Sequence, residues 1–325
     1  MDLRRRRFLR FAVAGIAVPA MARVAGAQAY PSRPVRIVVG FAAGGTSDIG
    51  ARLIGQSLQE RLGQPFVIEN RPGAATNIAT DMVVRAQPDG YTLLMVGPSA
   101  TINTTLYDKL SFVFLRDTVP VASLYRQPQI MVSHPSLAAK TIPELIAYAK
   151  ANPGKITMAS AGTGSFGHLA GEMFKMMAGV NLLHVPYRGA APALADLLGG
   201  QVLTAVTGTT GAIEYVRSGK LRGLAVTTSA RAEALPEVPT MSEFLPGYEA
   251  ADLLGICAPR NTPVEIIGML NKEINAALAD PKLQARFADL GGTTLKLTPA
   301  EYGKLLAGET EKWAKVIRAA NIKPE

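Results

Sequence analysis

Val35-Arg36-Ile37-Val38-Val39-Gly40-Phe41-Ala42-Ala43-Gly44-Gly45-Thr46-Ser47-Asp48 decides the fold. A short apolar run, as expected of a strand buried on both faces, enters a turn of small residues. The turn opens into a stretch with Ile49, Leu53, Ile54, Leu58 and Leu62 on one helical face. The same design recurs far along the chain, at Ile156-Thr157-Met158-Ala159-Ser160-Ala161-Gly162-Thr163-Gly164-Ser165-Phe166-Gly167-His168. A strand-to-helix turn of this kind exposes backbone N–H groups, and the helix dipole adds partial positive charge at the same point. Two such cradles, one in each half of the chain, imply a small anion held between two lobes.

The surrounding pattern extends this reading. Phe66-Val67-Ile68 and residues 91–96 read as further strands, the second after the Pro88-Asp89-Gly90 turn. Strands alternating with helices predict an α/β fold with a mostly parallel sheet. Further strands are expected around 130–132, 202–206, 221–227 and 252–258, with a strand end at 184–187. Helices are expected to open at three capping boxes, Thr141-Ile142-Pro143-Glu144, Thr262-Pro263-Val264-Glu265 and Thr298-Pro299-Ala300-Glu301. Phe166, Leu169, Ala170, Met173, Phe174 and Met177 form a stripe best read as core. Residues 233–246, with three prolines, read as an irregular crossing segment.

The first 29 residues read as an export signal. Arg5-Arg6-Arg7-Phe8-Leu9-Arg10 fits a twin-arginine leader, and a short apolar stretch follows, too short for the ~20 residues of a membrane span. Ala27-Gln28-Ala29 and Ala25-Gly26-Ala27 both offer cleavage sites. A soluble periplasmic protein is expected. The net charge of +9 includes six arginines and one acid in residues 1–29, so the remainder carries about +4. The basic residues are scattered, without an aromatic-interleaved patch, so no nucleic-acid partner is expected. Cys257 is the one cysteine, in the apolar run Leu253-Leu254-Gly255-Ile256-Cys257-Ala258, and reads as a buried thiol with no internal disulfide.

Candidate binding residues follow from the cradles. In the first, Gly44 and Gly45 let a ligand approach the backbone, and Thr46 or Ser47 is the expected N-cap. Asp48 either stabilises the helix start or faces an amino or hydroxyl group of a ligand. No Gly-Lys-Ser/Thr follows, which disfavours a nucleotide site. In the second, Ser165 is the expected N-cap and Thr163 a hydroxyl donor, among Gly162, Gly164 and His168. Ser165 beside His168 raises a rival from another class, an exported hydrolase. Yet Ser165 lacks a Gly-x-Ser-x-Gly elbow, and His168 lies on the same helix. His134, His168 and His184 are not at helical metal-ligand spacing, so neither metal nor cofactor is expected. Tyr187-Arg188-Gly189 forms a third strand-to-helix turn, where Arg188 could clamp a second carboxylate.

Taken together, the motifs resemble one family. They are residues 30–39 (Tyr-Pro-Ser-Arg-Pro-Val-Arg-Ile-Val-Val), 44–48, 63–74 (Gly-Gln-Pro-Phe-Val-Ile-Glu-Asn-Arg-Pro-Gly-Ala) and 88–94. With them come His-Leu-Ala-Gly-Glu at 168–172, His-Val-Pro-Tyr-Arg-Gly at 184–189, and residues 196–202, 219–227 and 245–249. The chain thus resembles the Bug-type solute-binding receptors of tripartite tricarboxylate transporters, over essentially all of residues 30–325. The resemblance implies a two-lobe, Venus-flytrap fold of the type II periplasmic binding class, each lobe a mostly parallel sheet flanked by helices. It implies a discontinuous first lobe, residues 30–128 plus 250–325, and a second lobe, residues 129–249. It implies a small carboxylate or related organic anion as ligand, held by Phe41 to Asp48 and by Ser160 to His168. Asn77, Ser99 and Thr101 occupy matching turns on the first lobe, and Tyr187 to Gly189 the matching turn on the second. The implied protein is a monomer and no enzyme. It serves a membrane transporter with one large and one small multi-span subunit, or a sensor partner without transport. Three departures stand out: Gly40 precedes Phe41 where the family often has proline, residues 206–211 lack its frequent aspartate or asparagine, and residues 109–116 are less polar than its common pattern.

Overall fold

In chain order the elements begin with β1 (Val35–Val39), α1 (Thr46–Leu62), β2 (Phe66–Asn70), α2 (Asn77–Val84), β3 (Thr92–Val96), α3 (Pro98–Leu106), α4 (Phe114–Asp117) and β4 (Thr118–Ser133). They continue through α5 (Ile142–Ala151), β5 (Thr157–Ser160), α6 (Phe166–Ala178), β6 (Leu183–Pro186), α7 (Ala190–Leu198), β7 (Thr204–Gly208), α8 (Thr209–Arg217) and β8 (Arg222–Val226). The last are β9 (Ala251–Pro259), α9 (Val264–Ala277), α10 (Pro281–Asp289), β10 (Thr293–Thr294) and α11 (Pro299–Ala319). The structure, a computed structural model, describes residues 30–324, so the expected leader lies outside the described residues.

Two sheets share one strand. β2, β1 and β3 run parallel, and β9 then pairs antiparallel with β3 and with residues 118–128 of β4. Beyond Pro128 the same strand changes partners: Gln129 to Ser133 pair antiparallel with β7 and, through a bulge, with β8. β7, β5 and β6 complete the second sheet in parallel. Both sheets have helices on their faces, and their buried strands are continuous apolar runs, as a doubly covered sheet requires. The first sheet's core joins Val35, Ile37 and Val39 to Ile54 and Leu58 of α1 and Ile274 of α9. The second sheet's core joins Met131 and Met158 to Leu169, Met173 and Phe174 of α6.

The chain passes between the sheets at two adjacent places. One is Pro128–Gln129 within β4; the other is the entry to β9 near Ala250. Thr227 ties them together: its N–H donates to the Gln129 carbonyl at 2.9 Å, and its carbonyl accepts from the Ala250 N–H at 2.8 Å. Its hydroxyl accepts from the Gln129 N–H at 2.9 Å and donates to the Ala250 carbonyl. α11 also bridges. Its start packs Tyr302 and Leu306 on the first sheet's side, and its end packs Trp313, Val316 and Ile317 into the second core.

Several local expectations change. The N-cap of α1 is Gly45, with no side-chain cap, rather than Thr46 or Ser47. The Thr262 box does not form, because the Thr262 hydroxyl turns back to the Pro259 carbonyl at 2.7 Å and α9 starts after Pro263. The Thr298 box forms in full. Met177 is 36% exposed, so the stripe on α6 stops short of it. Cys257 is fully buried, and burial pushes its thiol well up.

Candidate functional site

The first loop leaves β1 and folds back onto its own helix. Gly44 takes a left-handed φ of 88°, and its N–H donates to Asp48 Oδ2 at 2.9 Å. The same carboxylate accepts Arg52 Nε and Nη2, each at 3.0 Å, and Asn70 Nδ2 at 3.0 Å. Asn70 also donates to the Phe41 carbonyl at 3.0 Å, which fixes the near side of the loop. Hydrogen bonds from Arg52, then from Gly44 and Asn70, hold the Asp48 carboxyl below the usual carboxylate range against the desolvation of burial. Of its two sequence readings, Asp48 takes the first: it stabilises the helix start and braces the loop. Because Gly45 offers no capping side chain, the opening N–H groups of α1 stay available.

The second loop repeats the device with a different side chain. Gly164 has φ 75°, and its N–H donates to His168 Nδ1 at 3.1 Å, again four residues ahead. An accepting Nδ1 places the ring proton on Nε2, which faces Glu172 Oε1 at 3.6 Å. Lys175 Nζ donates to that oxygen at 2.7 Å. His184 stacks on His168 with ring centres 3.7 Å apart and planes 7° apart. Its Nε2 lies 2.7 Å from Ser160 Oγ, which also accepts the Gly162 N–H at 3.2 Å. Ser165 caps α6 by accepting the His168 N–H at 3.3 Å. This corrects the hydrolase reading. The His168 ring serves Gly164 and Glu172, so no imidazole is positioned to take a proton from Ser165.

Both loops face one cavity of about 490 Å³. The first sheet supplies Phe41, Gly45, Thr46 and Ser47, with Pro98 and Ser99 at the start of α3; the second supplies Gly162, Thr163, Gly164, Ser165 and Phe166. The N-terminal ends of α1, α3 and α6 therefore meet there, and neither α1 nor α3 has a side-chain cap. Converging helix starts concentrate free N–H donors and positive potential. Leu106, Tyr107, Phe41 and Phe166 add apolar wall. The short segment Ala74, Ala75 and Thr76 has φ values of 45°, 49° and 78°. Left-handed backbone costs roughly 1–2 kcal/mol per non-glycine residue. Asn103 offsets it, donating Nδ2 to the Ala75 carbonyl at 2.7 Å and to Asn77 Oδ1 at 2.9 Å.

The predicted residues thus separate by position. Phe41, Gly45, Thr46, Ser99, Gly162, Thr163, Gly164 and Ser165 line the cavity. Gly44, Asp48, Asn77, Ser160 and His168 stand behind it and shape the loops. Thr101 is buried, with its hydroxyl on the Pro98 carbonyl at 2.9 Å. Tyr187 donates its hydroxyl to Asp196 at 2.7 Å, and burial and that acid push its phenol up to about 12. Its backbone N–H braces Ser160 at 3.0 Å, and exposed Arg188 lies outside the cavity lining. Ser47 and Phe166 of the two expected loops also line it, as do Ala75, Asn103, Leu106, Tyr107 and Asp252, which the sequence did not single out. Among the described residues there is no cluster of three His, Cys, Asp or Glu suited to a metal, and no helix long and apolar enough to cross a membrane.

Two sheets sharing a strand, with helix starts facing a cleft between them, define a two-lobe α/β solute-binding protein of the periplasmic type. The tripartite tricarboxylate transporter family receptor model matches residues 50–322, and the chain belongs to that family. Protein BugT of Bordetella pertussis is 38% identical over 315 residues, covering 96% of this chain and 95% of that protein. The R. palustris protein Rpa4515, solved with adipate, is 36% identical with a TM-score of 0.79, covering 91% of this chain and 100% of the other. MatC from Rhodopseudomonas palustris, solved with bound malate, is 32% identical with a TM-score of 0.74, covering 89% and 100%. The chain is a receptor of this family, not a hydrolase.

Proposed function

We propose that this protein captures a small organic acid in the periplasm by closing its lobes, and presents it to a tripartite transporter. One ligand carboxylate sits between the two glycine loops and takes N–H donors from both. No bond of the ligand is made or broken. The single observation that carries this reading is the convergence of three helix starts, two from the first sheet and one from the second, on one cavity. Relatives solved with adipate and with malate support a carboxylate as the ligand class. Enclosure strengthens each N–H bond to the anion by removing competing water. The apolar wall suits a short carbon chain.

The moving bodies are residues 30–128 with 250–325, and residues 129–249. The partner change in β4 and the adjacent crossing at Ala250 support that division, with the end of α11 reaching across. Residues 1–29 act as a twin-arginine leader. The receptor works as a monomer, and its transporter has one large and one small multi-span subunit.

A thermal-shift screen of the purified protein against mono-, di- and tricarboxylates tests the reading. At least one acid raises the melting temperature in a concentration-dependent way, because a ligand that binds only the folded state adds stability by mass action. No shift across the whole panel, confirmed by calorimetry, would overturn it.

A further inference from the structure

Asp252 stands near the start of β9 and lines the same cavity as the two loops. Its Oδ1 is sealed from solvent and has no hydrogen-bond partner. The contrast with Asp48 is direct. Asp48 borders the same site, yet its carboxylate is saturated by Gly44, Arg52 and Asn70. Two neighbouring donors are already spent, while the Tyr125 hydroxyl on β4, which feels the Asp252 charge, is itself buried without a partner. Gln127, opposite it across the β4–β9 pair, gives its amide to Thr210 Oγ1 and the Leu290 carbonyl, both at 2.8 Å. Arg126 pairs with Glu249. A buried acceptor without a donor is costly, and it persists where something outside the chain completes it.

We propose that Asp252 is a specificity-determining ligand contact, whose carboxylate accepts a hydrogen bond from an ammonium or hydroxyl group that the ligand carries along with its carboxylate. The assignment rests on the carboxylate-receptor reading above and narrows it to amino acids and hydroxy acids. The cavity then has two complementary poles. Helix starts and loop N–H groups take the anion, and Asp252 takes the donor. Burial raises the Asp252 carboxyl to about 6, which leaves it ionised and accepting at neutral pH. A site that offers a buried acceptor discriminates against the isostere that lacks the donor, because binding the isostere leaves the acceptor unpaired.

The test is calorimetric binding to the purified protein with matched series: succinate, malate and aspartate; glutarate and glutamate; adipate and 2-aminoadipate. Wild type, Asp252→Asn and Asp252→Ala are compared. In at least one series the donor-bearing acid binds wild type on the order of tenfold or more tighter than its plain counterpart. Both variants collapse that ratio toward one while still binding the plain acid. Two results overturn the assignment and leave the receptor reading standing: plain acids bind wild type as well as their donor-bearing counterparts, or the variants keep the ratio. Absence of binding by every acid in every series overturns the receptor reading, and the Asp252 assignment with it.

Discussion

Asp48 and His168 differ in chemistry and do one job. Each accepts the N–H of a left-handed glycine four residues earlier and so holds a loop open toward the cavity. Both residues stood out in the sequence. Their orientation did not, because it depends on partners distant along the chain: Asn70 for Asp48, and His184 stacked on His168. The Asp48 carboxyl is held low, chiefly by Arg52, so its contribution is present above the ordinary value of 3.8 and lost as pH falls through the lowered one. Asp48→Asn should therefore be less stable than wild type at neutral pH, with the gap closing in strong acid. Chemical denaturation across pH reads this out, and an unchanged gap at low pH would contradict it. Asp252 has the opposite sign. Burial raises it from 3.8 to about 6. The cost of ionising it is absent below the unfolded value, grows as pH rises through that window, and is full above. Asp252→Asn should melt higher than wild type at pH 7.5 without ligand, by about 3 kcal/mol, and lose the advantage below about pH 4. A lower melting point at pH 7.5 would sink that account.

At the scale of elements, α1 and the β1 strand were legible, because an apolar run followed by a 3.6-residue stripe has one reading. β4 was legible only at its end. Pro120 and Pro128 argue against a strand, yet Pro120 sits at a register shift and Pro128 where the strand changes sheets, positions that tolerate a missing N–H. α3 was hidden as well. Its Thr-rich sequence has weak helix propensity, and packing of Ile102 and Leu106 against Trp313 of α11 compensates. Its uncapped start in the cavity was therefore missed as an element, although the family resemblance pointed to Ser99. Two substitutions test this level. A Cβ on Gly164 would meet Leu106 Cδ2 at 2.6 Å, and its φ of 75° disfavours any other residue. Gly164→Ala should cost ~1–2 kcal/mol in backbone strain alone and weaken every ligand alike; full binding by this variant would contradict the loop geometry. Thr227→Val removes the hydroxyl that joins the two crossing segments, leaving the Gln129 N–H without its partner. A loss of about 1–3 kcal/mol in urea unfolding is expected, and a neutral result would remove Thr227 from the hinge.

The whole molecule works through the placement of its two sheets. They share β4, and the cavity lies where their helix starts face one another. The pairing of two cradles was legible in the sequence; the third helix start and the acid that shares its cavity were not, because each needs the fold to bring distant segments together. Small-angle scattering should show the radius of gyration fall when a ligand found by thermal shift is added to saturation, and an unchanged radius would argue against closure. The most direct measurement is a crystal structure grown with the tightest-binding acid. One carboxylate should lie within about 2.7–3.2 Å of backbone N–H groups from both residues 41–48 and residues 160–166. A ligand seated elsewhere, or held by only one of the two loops, would contradict the claim that the paired loops form a single grip.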